Sequence, residues 1–506
     1  MSGQVNTIGY YDNLAVAGMR LSKILEGIQT RKAVDKEMEI TALNTDSRKK
    51  VENSLFICLS GKNVDSHDLV EEAVKNGAVA IVCERELDVR VPQIIMENTR
   101  SAIGNIAANF YGNPSKQLKI VGITGTNGKT TTSYMLAKIW KKGGYKVGVI
   151  GTLGVSYARK QLAATLTTPD PIELQHILAD MLICGIEYVV MEVSAHAIFY
   201  QKLAGIRFAA CIFTNLSQDH LDFFGTMQEY QKTKMRLFEK DCPLAIINGD
   251  DIIGREIGKL RENVGLRTVY YGLNTPADCF AIVTDERLGG TECMLNINDS
   301  LCRVRLSLTG EYNVYNALAA AACAIELGID TNAVANGLNS LKSVCGRLQK
   351  VGELYGANIY VDFAHTPDGL GKSLDALKKH CKGRLICLFG CGGNRDKVKR
   401  PIMGEIAAKK ADFAVLTSDN PRYEDPLDII ADIERGYRRF SPRYVVVPDR
   451  QRAIDYALEI LKREDVLLIA GKGGEEYQEI MGIKYPFSDH TVVERLLEQK
   501  GKRPCN

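Results

Sequence analysis

Residues 119–132 read Lys119-Ile-Val-Gly-Ile-Thr-Gly-Thr-Asn-Gly-Lys-Thr-Thr-Thr132. A short apolar run ends in a glycine-punctuated loop. The loop carries one lysine and a run of threonines, then opens into an apolar-periodic stretch that reads as a helix. Strand, loop and helix in this order build a cradle for nucleotide phosphates, because backbone N–H groups turn inward at a helix N-terminus. Gly125 and Gly128 allow the turn, with Thr126 and Asn127 between them. Lys129 reaches terminal phosphates, and Thr130 or Thr131 meets Mg²⁺. The spacing is shorter than the common phosphate-loop motif, which places four residues between its glycines; here there are two. A purely structural turn would not need a lysine followed by threonines, so ATP or GTP binding is the expectation.

Apolar runs continue downstream. Tyr145–Ile150, Glu187–Val193, Ala209–Phe213 and Leu244–Ile247 read as buried strands, with helical patterns between several of them. That alternation predicts a mostly parallel sheet covered on both faces. Residues 280–308 read as short antiparallel strands, and Asn316–Ile325 as a helix. Upstream, Ser54–Leu59 and Ala78–Cys83 read as strands flanking a helix over Asp68–Asn76, and the turn cluster Tyr111–Ser115 suggests a boundary. Beyond Arg347, runs at 358–362, 384–389, 413–417, 444–447 and 466–470 again alternate with helices. The expected fold is α/β with three domains: a small N-terminal α/β domain (1–118), a central phosphate-loop ATPase domain (119–345) and a Rossmann-like C-terminal domain (346–506).

Composition narrows the class. The 506 residues are 45% hydrophobic and 25% charged, with a net charge of +3. This balance is that of a globular protein and gives no electrostatic case for nucleic acid. No apolar run reaches about 18 residues, so no membrane span is expected. The start, Met1–Thr7, lacks a basic and then apolar leader, so no signal peptide is expected. The 14 cysteines form no Cys-x-x-Cys pair. Most sit in apolar runs, which reads as reduced, buried thiols of a cytoplasmic protein.

Polar residues cluster at strand ends. Glu192 closes an apolar strand, the position from which nucleotide enzymes commonly hold Mg²⁺; an ordinary strand-end charge is the other reading. His196 and His220 stand near the same edge, as metal or phosphate neighbours or as structural histidines. Arg347 follows a glycine at the domain junction, where it could neutralise γ-phosphate charge or simply brace a hinge. Asp362 and His365 face the same cleft. Arg395 and Arg422 follow strands of the last domain, and guanidinium groups grip carboxylates bidentately. Glu475, after Gly471-Lys-Gly-Gly474, could take an ammonium. Together these suggest a pocket for an amino acid with an additional carboxylate, although surface arginines commonly do nothing.

These residues, in this order, resemble the Mur ligases, and within them the UDP-N-acetylmuramyl-tripeptide synthetases of the meso-diaminopimelate-adding type. The resemblance spans nearly the whole chain. It rests on Thr45-Asp-Ser-Arg48, Gly125–Thr131, Thr167-Thr-Pro-Asp170, Met191-Glu-Val-Ser194, Thr214–Asp222, Tyr312–Asn316, Asp362–Asp368, Gly390–Asp396, Lys399-Arg-Pro401 and Asp419-Asn-Pro-Arg422. It implies an ATP- and Mg²⁺-dependent amide-bond ligase of peptidoglycan synthesis. Such enzymes phosphorylate the D-glutamate carboxylate of UDP-MurNAc-L-Ala-D-Glu and let the amine of the next amino acid attack the acyl phosphate. It also implies a cytoplasmic enzyme; no nucleic-acid partner, no membrane span and a monomer are expected.

By resemblance, Ser47 contacts the uridine nucleotide, and Thr167, Thr168, Ser194 and Lys202 hold the muramyl-peptide. Gly125–Thr131, Asn313, Arg347 and Asp362 belong to the ATP site. Lys129, Glu192, His220, Lys234 and Arg347 form the catalytic set. Thr130, Glu192, His220 and Lys234 lie at the metal, with Lys234 carried as a carbamate. From the sequence alone Lys234 would read as a solvated helix lysine. Arg395, Asp419, Asn420, Pro421, Arg422, Gly471 and Glu475 match the amino-acid pocket. Lysine-adding relatives lack the arginine at 422, and diaminopimelate is lysine with an additional carboxylate.

Some positions depart from the pattern. Lys202 stands for an arginine, Tyr200 for glutamine, Gly474 for histidine, Asn394 for aspartate and Gln349 for glutamate. None removes a core catalytic group, but they bear on substrate affinity and on the acceptor. The rival readings are a ligase adding L-lysine or another amino acid, and a non-catalytic ATP-binding homologue.

Overall fold

The computed structural model describes residues 18–501, except 32–36, 62–63, 164–165 and 240–241. The stretch 1–7, read above for a leader, lies outside the described residues.

Three main sheets organise the chain. The first has four parallel strands in sequence order, Ala42–Asn44, Ser54–Ile57, Ala78–Cys83 and Gln93–Ile95. The helix expected over 68–76 begins one turn early, as a 3₁₀ turn at Ser66–Leu69 leading into Val70–Lys75. Asp65 caps that turn by accepting from the His67 N–H, and a side chain that satisfies an orphan N–H starts a helix where periodicity alone does not. Helix Thr99–Phe110, capped by Asn98, covers this sheet with Ile103, Ile106 and Phe110. Its Gly104 lies so close to Ala204 of the next unit that a Cβ there would overlap the Ala204 carbonyl.

The second sheet has eleven strands. The strand Lys119–Thr124 lies at its centre, between Tyr188–Glu192 and Phe208–Phe213, parallel to both. Register decides what meets there. Glu192 pairs with Ile123 and Phe213 with Thr124, so Glu192, the loop after Thr124 and the Thr214-Asn215 turn emerge side by side at one edge. Helices Lys129–Lys142, Glu311–Glu326 and Thr331–Ser340 cover one face around Trp140; Pro171–Ile183 and Ile252–Glu262 cover the other. The antiparallel strands expected over 280–308 are not short. They run Cys279–Arg287, Gly290–Ile297 and Ser300–Leu306, nine, eight and seven residues, with burial alternating along the last two and at the start of the first. One face packs on helices and the other faces water, the usual state of an antiparallel edge.

The third sheet has six strands, in the order Gln349–Leu354, Ala357–Asp362, Val466–Ala470, Leu385–Phe389, Phe413–Leu416 and Tyr444–Val446. All but the first pairing are parallel. Apolar clusters on both faces sandwich it between helices. In such open sheets ligands bind beyond the carboxyl ends of strands, and those ends face the equivalent edge of the second sheet across a cavity. No helix among the described residues is long and apolar enough to cross a membrane.

Candidate active site

A cavity of about 1580 Å³ occupies the cleft between the second and third sheets. Thr126 to Thr131 line it, as do Thr167, Thr168, Glu192, Ser194, Lys202, His220, Lys234, Asn313, Arg347, Asp362, Arg395, Asp419, Asn420, Arg422, Gly471 and Glu475. Three expected residues do not. Gly125 turns beneath the loop, against the Thr214 side chain. Pro421 backs Gly393. Ser47 is buried in the first unit, its hydroxyl 2.5 Å from the Glu72 carboxylate.

The phosphate loop is held from below. Gly125 (φ 147°) and Gly128 (φ 88°) take backbone conformations that a side chain would strain. The Thr214 hydroxyl donates to the Asn127 carbonyl at 2.6 Å, and the Asn127 N–H donates to Asn215 Oδ1 at 2.9 Å. The helix then starts at Lys129 with Gly128 as its cap. The Lys129 ammonium folds over the loop and donates to the Gly125 and Thr126 carbonyls, each at 2.9 Å. Lys234 donates to the same Gly125 carbonyl at 3.0 Å and is 1% exposed. The reading of Lys234 as a solvated helix lysine is therefore corrected: helix Met227–Met235 turns it inward under the loop. Burial pushes both ammonium groups below their ordinary range, and Lys129 repels Lys234 further.

Glu192 is 1% exposed. Its carboxylate accepts from the Thr130 hydroxyl (3.0 Å), the Thr152 N–H (3.0 Å) and the Thr152 hydroxyl (3.0 Å), and forms no ion pair among the described residues. Arg347 donates from Nη2 to the Thr130 hydroxyl at 2.8 Å and lies over the Phe363 ring at 4.4 Å. Its Nε is buried without a partner, and burial lowers its affinity for its proton. A buried N–H is rarely left orphaned unless a ligand completes it. The cavity floor thus holds cations without counterions beside a carboxylate without a cation, a donor set that suits a metal-bound polyphosphate.

Around this centre, the Thr168 hydroxyl donates to the Glu192 carbonyl and receives the Ser194 N–H. Thr167 reaches Thr152 at 3.2 Å. Lys202 is held by Asp170 at 2.7 Å. Asn313 is anchored to the Thr309 carbonyl and to Asn316. Asp362 accepts from the Leu348 and Phe363 N–H groups and from Ser373, while burial raises its carboxyl. No group of three or more His, Cys, Asp or Glu that could hold a metal occurs among the described residues. The expected metal set differs in kind, with a threonine and a modified lysine beside Glu192 and His220. His220 takes a left-handed backbone (φ 56°), and burial pushes its imidazole down to about 3 against the pull of Asp219.

Asp219 itself was not foreseen. It is 5% exposed and faces His220 (3.3 Å) on its own unit, and His365 (3.6 Å) and Lys399 (3.5 Å) on the third. Asn127 also crosses the cleft, to Asp368 at 2.9 Å, and Gln218 crosses to Asp396 at 3.2 Å. Nothing in the local pattern marks these as partners; only their places inside the Gly125–Thr131, Thr214–Asp222, Asp362–Asp368, Gly390–Asp396 and Lys399–Pro401 motifs hint at it.

The third unit contributes a polar network. Asn420 donates to Glu475 at 2.9 Å, and Lys472, fully buried, donates to Asn420 (3.0 Å) and Glu475 (2.8 Å). Arg422 pairs with Glu479 at 3.0 Å, whereas Arg395 is exposed and makes no ion pair among the described residues.

The chain matches three family descriptions in series. Residues 39–111 match the Mur ligase family catalytic domain, 123–324 the Mur ligase middle domain and 346–473 the Mur ligase glutamate ligase domain. The chain belongs to the Mur ligase family. Among relatives of this Mur ligase, a Clostridium acetobutylicum protein named UDP-N-acetylmuramoyl-L-alanyl-D-glutamate--2,6-diaminopimelate ligase 1 is 43% identical over 488 residues, 95% of this chain and 100% of that one. A solved UDP-N-acetylmuramoyl-L-alanyl-D-glutamate--2,6-diaminopimelate ligase superposes with a TM-score of 0.70 at 32% identity, covering 96% of this chain and 100% of that one. The MurF ligase of Thermotoga maritima, solved in complex with ADP, shares the fold at a TM-score of 0.61 and 21% identity, covering 91% and 97%.

Proposed function

We propose that this Mur ligase adds meso-2,6-diaminopimelate to UDP-N-acetylmuramoyl-L-alanyl-D-glutamate, with ATP cleaved to ADP and phosphate. The observation that carries the reading is the juxtaposition of Lys129, Lys234 and Arg347, none with a carboxylate partner, around a glycine-bearing loop that lines a cleft. The names of its full-length relatives support the choice of substrates. The three units expected at 1–118, 119–345 and 346–506 would bind the nucleotide sugar, the ATP and the incoming amino acid respectively.

In this reading the loop N–H groups and Lys129 bind the β- and γ-phosphates. A carboxylate is a poor electrophile; transfer of the γ-phosphoryl group to the D-glutamate oxygen forms an acyl phosphate with a good leaving group. The amine of the acceptor attacks the acyl carbon, the tetrahedral species collapses, phosphate departs and the amine loses its proton. Lys129 and Arg347 screen the charge that accumulates on the transferring group. Thr168 and Ser194 orient the glutamate, and the cross-cleft bonds of Asn127 and Asp219 hold the acceptor-binding unit over the acyl carbon.

Glu192, with Thr130, His220 and a carbamylated Lys234, would hold Mg²⁺; Glu192 is a buried carboxylate lacking a cation, which suits that role. The ion supplies neutralisation of phosphate charge. Lys234 fits carbamylation because burial favours its neutral amine, the form that adds CO₂ with loss of a proton. Asn420 and Glu475 would take the acceptor's ammonium group, and Arg395 and Arg422 its distal carboxylate. The reading places the enzyme in the cytoplasm as a monomer.

The test is an amino-acid panel. Protein, ATP, UDP-MurNAc-dipeptide and each candidate amino acid are incubated and the products weighed by mass spectrometry. Diaminopimelate should be incorporated with stoichiometric phosphate release. Preferred incorporation of L-lysine would overturn the acceptor assignment, and ATP binding without phosphate release would overturn catalysis.

A further inference from the structure

The acceptor pocket contains a feature that the ligase reading does not require. Arg422 belongs to the turn Asp419-Asn-Pro-Arg422, and its backbone is left-handed at φ 53°, uncommon for a residue with a long side chain. The strand Tyr477–Ile480 of a small hairpin holds it there. The Arg422 N–H donates to the Glu479 carbonyl at 3.0 Å, and the Met481 N–H donates to the Arg422 carbonyl at 2.7 Å. The same hairpin residue then binds the side chain. Glu479 Oε2 accepts from Arg422 Nε at 3.0 Å, with both side chains about four-fifths buried (18% and 22% exposed). Nη1 donates to the Gly393 carbonyl at 2.8 Å. Gly392 lets the guanidinium lie flat on the loop, since a Cβ there would come within 2.9 Å of Nη1. The Nη2 donors meet no acceptor among the described residues, and Arg422 lines the cavity.

A guanidinium offers a carboxylate two bidentate edges, one across Nε and Nη2 and one across Nη1 and Nη2. Glu479 takes the Nε end of the first and leaves Nη2 unused there. It also places a negative charge directly behind the group that is to bind an anion. Glu479 is itself located by its N–H, which donates at 3.0 Å to Asn420 Oδ1, the atom that also accepts from Lys472. Guanidinium orientation is thereby tied to the part of the pocket that faces the acceptor's ammonium.

We propose that Glu479 is a positioning residue that fixes which edge of Arg422 meets the acceptor's distal carboxylate and moderates the strength of that contact, so that it sets selectivity between diaminopimelate and lysine. The inference rests on the acceptor assignment above. It separates two effects. Orientation needs only an acceptor atom at Nε; moderation needs the negative charge. Glu479→Gln keeps the first and removes the second, whereas Glu479→Ala removes both.

Steady-state kinetics with diaminopimelate and with L-lysine test this on the full-length protein, with melting temperatures as a check on folding. Glu479→Gln should lower the KM for diaminopimelate about threefold. Glu479→Ala should raise it about tenfold, on the scale of a lost charge-assisted hydrogen bond. The KM for ATP should hold in both variants. In an Arg422→Ala background neither change at 479 should alter the diaminopimelate-to-lysine ratio. The proposal is overturned if both variants shift the KM in the same direction, if both leave it unchanged, or if the ratio still responds to position 479 once Arg422 is gone. Parent enzyme that uses no diaminopimelate would sink the acceptor assignment and this role with it; parent activity with indifferent variants sinks only the role of Glu479.

Discussion

Two ends of one cavity handle charge in opposite ways. Around the phosphate loop, Lys129 and Lys234 donate only to uncharged oxygens, Arg347 leaves Nε without a partner, and Glu192 faces only hydroxyls and an N–H. In the proposed acceptor pocket, Lys472 meets Glu475 and Arg422 meets Glu479, and behind its wall Arg400 meets Glu424 and Asp432. The first end is incomplete until a multiply charged ligand arrives. The second is largely neutralised, with Arg395 alone of its named cations left without an ion pair among the described residues, which suits an amino acid carrying both signs. Unpaired buried charge costs stability, so the first end trades stability for binding and the second does not.

The largest test strikes the incomplete end. Lys129→Ala should reduce turnover at least about 10³-fold, because the terminal phosphates lose their point charge. The same change should raise the melting temperature by about 2 °C, since a half-buried cation without a counterion is removed. Lysine loss at the neutralised end should do the reverse: Lys472→Met leaves Glu475 and Asn420 short of a donor and should cost about 1–3 kcal/mol. Matching signs in thermal melts would erase the contrast between the two ends.

Next in size is Lys234→Ala, expected to reduce turnover about 10²-fold. Short carboxylic acids should restore part of it if an anionic oxygen belongs there; an absence of rescue argues against the carbamate. Arg422→Ala should follow. Loss of a charge-assisted bidentate contact is worth roughly 2–4 kcal/mol, so the KM for diaminopimelate should rise by roughly 30-fold or more while that for ATP holds. Equal rises in both would mean that the pocket had collapsed.

The smallest effect concerns pH. The hydrogen bond from Arg400, outweighing some burial, holds the Glu424 carboxyl at about 2, below its ordinary 4.5. A depressed carboxyl contributes stability that is present above the unfolded value and lost as pH falls toward the folded one. Glu424→Gln should therefore lower the melting temperature by a few degrees at pH 7. The gap between parent and variant should narrow as pH falls from about 4.5 toward 2. A gap at pH 3 as wide as that at pH 7 would show that packing, not ionisation, carries the effect.

The same division governs what was legible in the residue pattern. The phosphate loop and its neighbours were, because apolar runs announce buried strands and strand ends announce the cleft edge. Glu192 was legible as a strand-end residue, and the structure has it closing Tyr188–Glu192 at the cleft, since it ends such a run. Lys234 was not legible from pattern, because inward and outward lysines of a short amphipathic helix look alike until the loop beneath is known. Arg422 and Glu475 were singled out by their places after a strand and a glycine loop, and again by the motif resemblance, but Glu479 and Lys472 were not. Their partners lie 57 residues away for Glu479 and 52 for Lys472, and pairing over that separation is a product of topology. Asp219 escaped notice for the same reason: it meets His365 and Lys399 only when two sheets face each other.

Asn127 lies within the loop proposed to cradle the triphosphate, yet its side chain is tied to Asp368 on the far wall. Parting of the two walls therefore breaks that tether, which couples the loop's side-chain contacts to the opening of the crevice.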